Sequence, residues 1–281
     1  MQRLRGRSWE RLSRDLYVPR GTRRDVRLRT TAALLTLPDA VPCVFTAALL
    51  QDLPVDDDGE IHLARGRAAA RATRPGVKVH RTPVEPDEQI VVGALRVADG
   101  PRTYVDLAAH LEPEQLVALG DVVLRRYGPE ALAAAVARRP RRPGIVLARD
   151  ALRLLDAGAA SPAETRARLR LHGAGFTSLR HGVVIRDRAG QWLAEPDLAD
   201  EVAKVAVQHD GLVHVVGSVA QRRSDLQRDE LARQEGWQVV VSTALDDRQP
   251  HLLVAKVTAA YQRAAELRGR HILPVHLAKA G

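Results

Sequence analysis

Asp197, Gln208, Asp210 and His214 have the types and spacing to gather around one divalent cation. The chemistry such a set could support is phosphodiester hydrolysis. A hard cation such as Mg2+ takes carboxylate and carbonyl oxygens, aligns a water for attack and stabilises the charge on the leaving oxygen. Asp197 is the expected principal metal ligand, with Asp210 and Gln208 completing the set and His214 as general acid or base. Gln208 brings a carbonyl oxygen but no charge, so it neutralises nothing. Glu164 lies upstream on an expected helix, from which it could reach the cluster and orient water. Each residue also has a plain reading. Ser161-Pro162-Ala163-Glu164 has the form of a helix capping box, and Asp197 and Asp210 stand beside Pro196 and Gly211 as turn residues do.

Strands must position these groups. Gly182–Ile185 and Gln191–Leu198 flank the hairpin turn Asp187-Arg188-Ala189-Gly190. Asp200-Glu201 then turns into a strand over Val202–His209. Because strand side chains repeat every two residues, Gln208 and Asp210 share a face and His209 points away from it. Two helices, Ile145–Ala157 and Ser161 to about Leu171, precede this sheet. A helix running to Glu235, a strand over Trp237–Ser242 and a helix over Val254–Leu267 follow it, giving the order ααβββαβα. Trp237 is expected in the core.

The first half reads as α+β. Residues 8–19 alternate as a β-hairpin, Arg27–Leu37 has helical spacing, and short strands are expected at Ile61–Leu63, Val77–Arg81 and Gln89–Val97. Helices follow over Pro101–Ala109, Glu114–Arg126 and Pro129–Arg138. The run Arg138-Arg139-Pro140-Arg141-Arg142-Pro143-Gly144 has no apolar face and two prolines. It predicts a linker at 139–144 between domains at 1–138 and 145–281.

Composition narrows the function. The net charge of +9 favours a polyanionic partner, yet 39 of the 43 basic residues are arginine, a bias that a GC-rich genome also produces. Residues 1–30 hold ten arginines against Glu10, Asp15 and Asp25, a net of +7, whereas 31–143 sum to about −1 and 144–281 to +3. The excess is N-terminal, as in an arm that gains affinity by releasing counterions from phosphate, or in a solvated basic tail. The single cysteine, Cys43, excludes an internal disulfide and a cysteine-based zinc cluster. No signal-peptide pattern and no membrane-length apolar run is seen, so a cytoplasmic protein without a membrane partner is expected. Phosphate-binding glycine loops, a dinucleotide fingerprint, H-E-x-x-H and G-x-S-x-G are all lacking.

Over about residues 145–260 the chain resembles the PD-(D/E)xK nuclease superfamily, in particular its very-short-patch-repair-like endonuclease branch. The matching residues, in order, are Glu164, Asp197, Asp210-Gly211, His214, Asp225 with Arg228, and Gly236-Trp237. The resemblance implies a restriction-endonuclease-like α/β domain, a mixed sheet flanked by helices, with Mg2+ as cofactor, DNA as substrate and Arg228 as a phosphate contact. Asp225 and Arg228, three apart on a helix, also read as an ordinary surface pair. The departure is Gln208, where relatives carry Glu.

The first half resembles the N-terminal region of AbiEi-type antitoxin and regulator proteins. It does so through Trp9-Glu10-Arg11-Leu12 with Leu16-Tyr17-Val18-Pro19, Gln51-Asp52-Leu53-Pro54, Val79-His80-Arg81, and Pro101-Arg102-Thr103 with Asp106-Leu107-Ala108. Relatives begin with a helix-turn-helix, for which the hairpin would be the wing. Most of that unit is absent here: either the natural start lies upstream, or only wing-like arginines such as Arg11, Arg14 and Arg20 remain to contact DNA phosphate. Two functions follow as expectations. One is a DNA-binding protein whose C-terminal domain cuts or nicks DNA with Mg2+. The other is a catalytically degenerate regulator or antitoxin-like protein that binds DNA, a toxin or another protein without turnover.

Overall fold

The computed structural model describes residues 8–13, 16–68, 74–210 and 228–269. The chain divides into two compact units, Met1–Leu155 and Asp156–Gly281, each built from helices and small sheets.

In the first unit, β1 (Trp9–Ser13) and β2 (Leu16–Pro19) form the antiparallel hairpin that alternation predicts. The helix α1 (Val26–Leu34) starts where the Asp25 carboxylate accepts from the Leu28 N–H at 2.8 Å. A three-stranded sheet has β4 (Ile61–Ala64) at its centre, antiparallel to β3 (Val41–Pro42) and parallel to β5 (Val77–His80). The helix α2 (Val44–Leu50) went unread in the sequence because it is buried nearly all round and has no polar face to create a period. After the hairpin β6 (Gln89–Val92) and β7 (Leu95–Ala98) come α3 (Gly100–Leu107), α4 (Pro113–Tyr127) and α5 (Pro129–Ala137). Gly128, at φ +81°, separates α4 from α5, and Pro129 opens the latter.

The segment expected to be a linker lies inside this unit, as does α6 (Ile145–Ala151). Its arginines meet acids of the same unit, two of them, Glu88 and Asp106, buried. Arg142 donates to Asp106 at 2.8 Å and to Thr82 at 3.1 Å, Arg138 donates to Asp87 at 2.8 Å, and Arg139 pairs with Glu88. Gly144, at φ +78°, lies so close to α3's end that an added Cβ would come within 2.4 Å of the Ala108 backbone. Only glycine permits that approach. The run was read as a linker because arginine composition says nothing of the acids waiting elsewhere in the chain.

In the second unit, α7 (Pro162–Gly173) is capped by Ser161, whose Oγ accepts from the Glu164 N–H at 3.2 Å. The short hairpin β8 (Ile185–Arg186) and β9 (Trp192–Ala194) follows. The central sheet is mixed: β11 (Val205–Asp210) runs antiparallel to β10 (Leu198–Asp200) and parallel to β12 (Gln238–Thr243). Its two faces are filled by alternating residues. Leu198, Val205, Val207 and Val240 pack with Leu171 of α7 and with Leu253, Val257 and Tyr261 of α10 (Pro250–Leu267). Ala199, Ala206 and Val239 pack with Ile185, Ala194, Trp237 and Ala232, the last on a helix α8 described over 228–234. Trp237 is thus a core residue, as expected. Two details differ from the expected order. Asp200 ends the separate strand β10, with its buried carboxylate accepting from the Ala203 N–H and the Tyr261 hydroxyl, both at 2.8 Å. A short helix α9 (Ala244–Arg248) also intervenes before α10, opened by a reciprocal cap between Thr243 and Asp246.

Candidate functional site

The register of the mixed sheet assembles the predicted ligands at one end. Leu198 pairs with Val207 and Ala199 with Ala206. Asp197 lies in a bend just before β10, and its carboxylate reaches β11 at the His209 N–H, next to Gln208. Gln208 has the strand parity of Ala206, which packs with Ile185 and Ala194 of the β8–β9 hairpin. Asp210 closes β11 two residues beyond Gln208, beside Thr243 of β12. The side chain of Asp210 lies outside the described residues, as do His214, Asp225 and Arg14.

Asp197 is half-buried, and its Oδ2 accepts from the His209 backbone N–H at 2.5 Å. Burial pushes its pKa above the ordinary carboxylate value, and the nearby charge of Glu164 pushes the same way. The His209 N–H and the His209 and His181 rings pull against them. The site therefore favours neutralisation of Asp197 by a proton or by a cation. Gln208, half-buried across from it, contributes an amide. A carboxylate and a carbonyl oxygen are the hard donors that suit Mg2+, and they carry one negative charge fewer than a carboxylate pair.

The flanking residues divide between local and tertiary roles. Glu164 reaches back to the Ala160 N–H at 2.8 Å, a capping contact, while its charge is felt at Asp197. His209 turns to the other side of the strand, as its parity predicts. Its ring lies 3.4 Å from Ser242 Oγ, and its Nε2 is 3.9 Å from an Asp247 carboxylate. Asp247 also stands near Arg166 at 3.6 Å and Arg170 at 3.7 Å. The sequence reading missed this histidine–aspartate–arginine group because its members come from β11, α9 and α7. Arg228, the expected phosphate contact, is exposed and stacks its guanidinium 5.3 Å from the centre of the Trp192 ring.

In the N-terminal hairpin, Arg11 and Arg20 are exposed. Other arginines of that basic arm serve the fold: Arg24 donates to the Arg11 carbonyl, and Arg29 bonds Asp57 at 2.6 Å and the Gly59 carbonyl at 3.0 Å. Cys43 is buried, which raises its thiol pKa and suits packing rather than nucleophilic attack.

A second acidic group, unread in the sequence, stands at the start of β4. Asp58, Glu60 and His62 alternate at strand spacing, and their ligand atoms lie within 4.8 Å of one another. They are engaged with neighbours: His62 Nε2 with Asp58 at 2.8 Å, His62 Nδ1 with His80 at 3.0 Å, and Glu60 with Lys78 at 3.8 Å. Burial, with the His62 charge beside it, holds His80 down to about 4. The alternation Asp-x-Glu-x-His was the available signal.

No helix among the described residues is long and apolar enough to cross a membrane. No family model matches the chain. Two Mycobacterium tuberculosis proteins are similar to it: "Uncharacterized protein MT2308" of strain CDC 1551 / Oshkosh and "Uncharacterized protein Rv2248" of strain ATCC 25618 / H37Rv. Each is 30% identical over 231 residues, spanning 80% of this chain and 82% of its own length.

Proposed function

We propose that this protein, which belongs to the family of those two mycobacterial proteins, binds DNA and carries an endonuclease-like site in its second unit. The observation that carries this reading is the half-buried Asp197 carboxylate held against the His209 N–H of β11, beside Gln208 and at the end of the strand that Asp210 closes. On this reading the second unit is a restriction-endonuclease-like domain and the first an AbiEi-like one. Asp197, Gln208 and Asp210 would hold Mg2+, which when bound supplies a Lewis acid for phosphodiester hydrolysis. The protein's own part is to keep Asp197 half-buried, where its charge seeks a cation, and to orient it through the His209 N–H. His214 is proposed as the proton-transfer group, Glu164 as a positioning residue and Arg228 as a phosphate contact.

A second reading has its own support. The neutral amide of Gln208 and the engagement of Asp197 with the strand backbone suit a nuclease fold kept as a platform for DNA, or for a toxin or other protein, without turnover.

Supercoiled plasmid incubated with the full chain and Mg2+ or Mn2+ separates the two. Nicking by the parent that disappears in Asp197→Asn supports the enzyme, whereas cutting that persists in Asp197→Asn rejects this site. Activity absent in the parent and gained in Gln208→Glu identifies the degenerate platform.

A further inference from the structure

The proline-arginine run that sequence reading assigned to a linker builds one wall of a cleft of about 530 Å³ in the first unit. Arg67, Thr82, Arg139, Arg141 and Arg142 line it, and among the described residues no acidic side chain does. We propose that this cleft binds phosphate esters and is the main DNA-backbone contact of the first unit. This rests on the DNA-binding part of the function proposed above and not on cleavage.

The arginines divide into anchors and free ends. Arg142 is tied to Asp106 and Thr82, and Arg139 to Glu88, so both hold the wall in place. One terminal nitrogen of Arg139, Nη1, is nevertheless buried without a hydrogen-bond partner among the described residues. A charged donor left so is costly unless an acceptor reaches it from outside the chain. Arg67 and Arg141 are exposed, and neither guanidinium has a hydrogen bond or ion pair among the described residues. Ordinary surface arginines scatter, whereas these converge on one concavity with a buried donor at its edge.

The ligand class follows from the donors. Guanidinium forks match the paired oxygens of a phosphate, and several of them around one cleft favour an anion of more than one charge over a lone carboxylate. The rings of Pro140 and Pro143 complete the lining and offer apolar surface for a sugar. Bonds to Asp106, Glu88 and Thr82 hold the wall rigid before any ligand arrives, which lowers the ordering cost of binding.

The test measures binding by the full chain to a fluorescent DNA duplex, in EDTA so that no metal site contributes, over a range of salt. Arg67→Ala and Arg141→Ala are each expected to lower the salt slope by about 0.9, one phosphate contact, and so weaken binding about eightfold at 0.1 M salt. Arg149→Ala, an exposed arginine on α6 outside the cleft, is expected to bind as the parent does. Calorimetric titration with AMP forms a second arm. If the parent binds no DNA but binds AMP, and Arg141→Ala does not, the site stands for free nucleotide phosphates and the DNA reading falls. Parent-like slopes and AMP heats in both cleft variants, or an equal loss in Arg149→Ala, would overturn the proposal. Because both cleft residues are exposed, unchanged melting temperatures separate lost contact from lost fold.

Discussion

Two carboxylates, the buried Glu88 of the first unit and the half-buried Asp197 of the second, have opposite surroundings and opposite pKa shifts. Around Glu88 burial would raise the pKa, but Arg139, Arg102 and the Glu85 N–H overcome it and hold Glu88 at about 2. Arg102, itself 1% exposed, bonds Glu88 at 2.7 Å, Asp106 at 2.8 Å and the Pro83 carbonyl at 3.0 Å. Among the described residues Asp197 accepts from the His209 N–H and feels the His209 and His181 rings, but burial, with the charge of Glu164 nearby, outweighs them and its pKa rises. A carboxylate satisfied by arginines is a structural tie. One left short of positive charge is a place where a cation gains most, and such places are where chemistry is commonly built.

The comparison is broken most forcefully at the tie. Glu88→Ala leaves Arg102 and Arg139 short of a counter-charge inside the first unit, and a loss of about 3–5 kcal/mol is expected by chemical denaturation. Gly144→Ala should rank next, with roughly 2–4 kcal/mol lost, from left-handed backbone strain and from a Cβ driven into the Ala108 backbone. Asp197→Asn should be neutral or slightly stabilising at pH 7, because an amide can still accept from the His209 N–H and removes a charge that burial disfavours. A large loss of stability in that variant would make Asp197 another tie and end the contrast.

Acid sharpens the same difference. Glu88 has its folded pKa below its unfolded one, so its contribution is complete above about 4.5 and disappears as pH falls through about 2. Denaturation followed from pH 5 to pH 2 should show this decline in the parent, and a flatter profile in Glu88→Gln. Asp197 runs the other way: its raised pKa opposes folding at neutral pH, and that opposition is relieved as the group protonates. The smallest expected effect is on this titration. Glu164→Gln should move the Asp197 pKa downward, as read from carboxyl carbon shifts, while an unmoved value would detach Glu164 from the site.

Much of the secondary structure was legible because its causes are local. The alternation of residues 8–19 and the Ser161 cap of α7 act within a few residues. The parity that turns His209 toward Ser242, away from the Gln208 side, was legible too, since it follows from the pleat. The buried helix α2 escaped, having no polar side to mark a period. His209 with Asp247 and the two arginines escaped as well, because distant segments bring those side chains together.

What the sequence by itself determined is the set of short-range elements, the shared face of Gln208 and Asp210, and the missing charge at position 208. Tertiary structure alone decided the partners of the charged groups. It turned the expected 139–144 linker into a docked wall, tied Glu88 to three arginines, and set Asp197 against a backbone N–H with no arginine or lysine among the groups that shift its pKa. The physical reason is range. Backbone propensity and capping act over a turn or a strand, whereas the fate of a buried charge depends on which distant residues the fold brings within hydrogen-bonding distance, and composition carries no record of that.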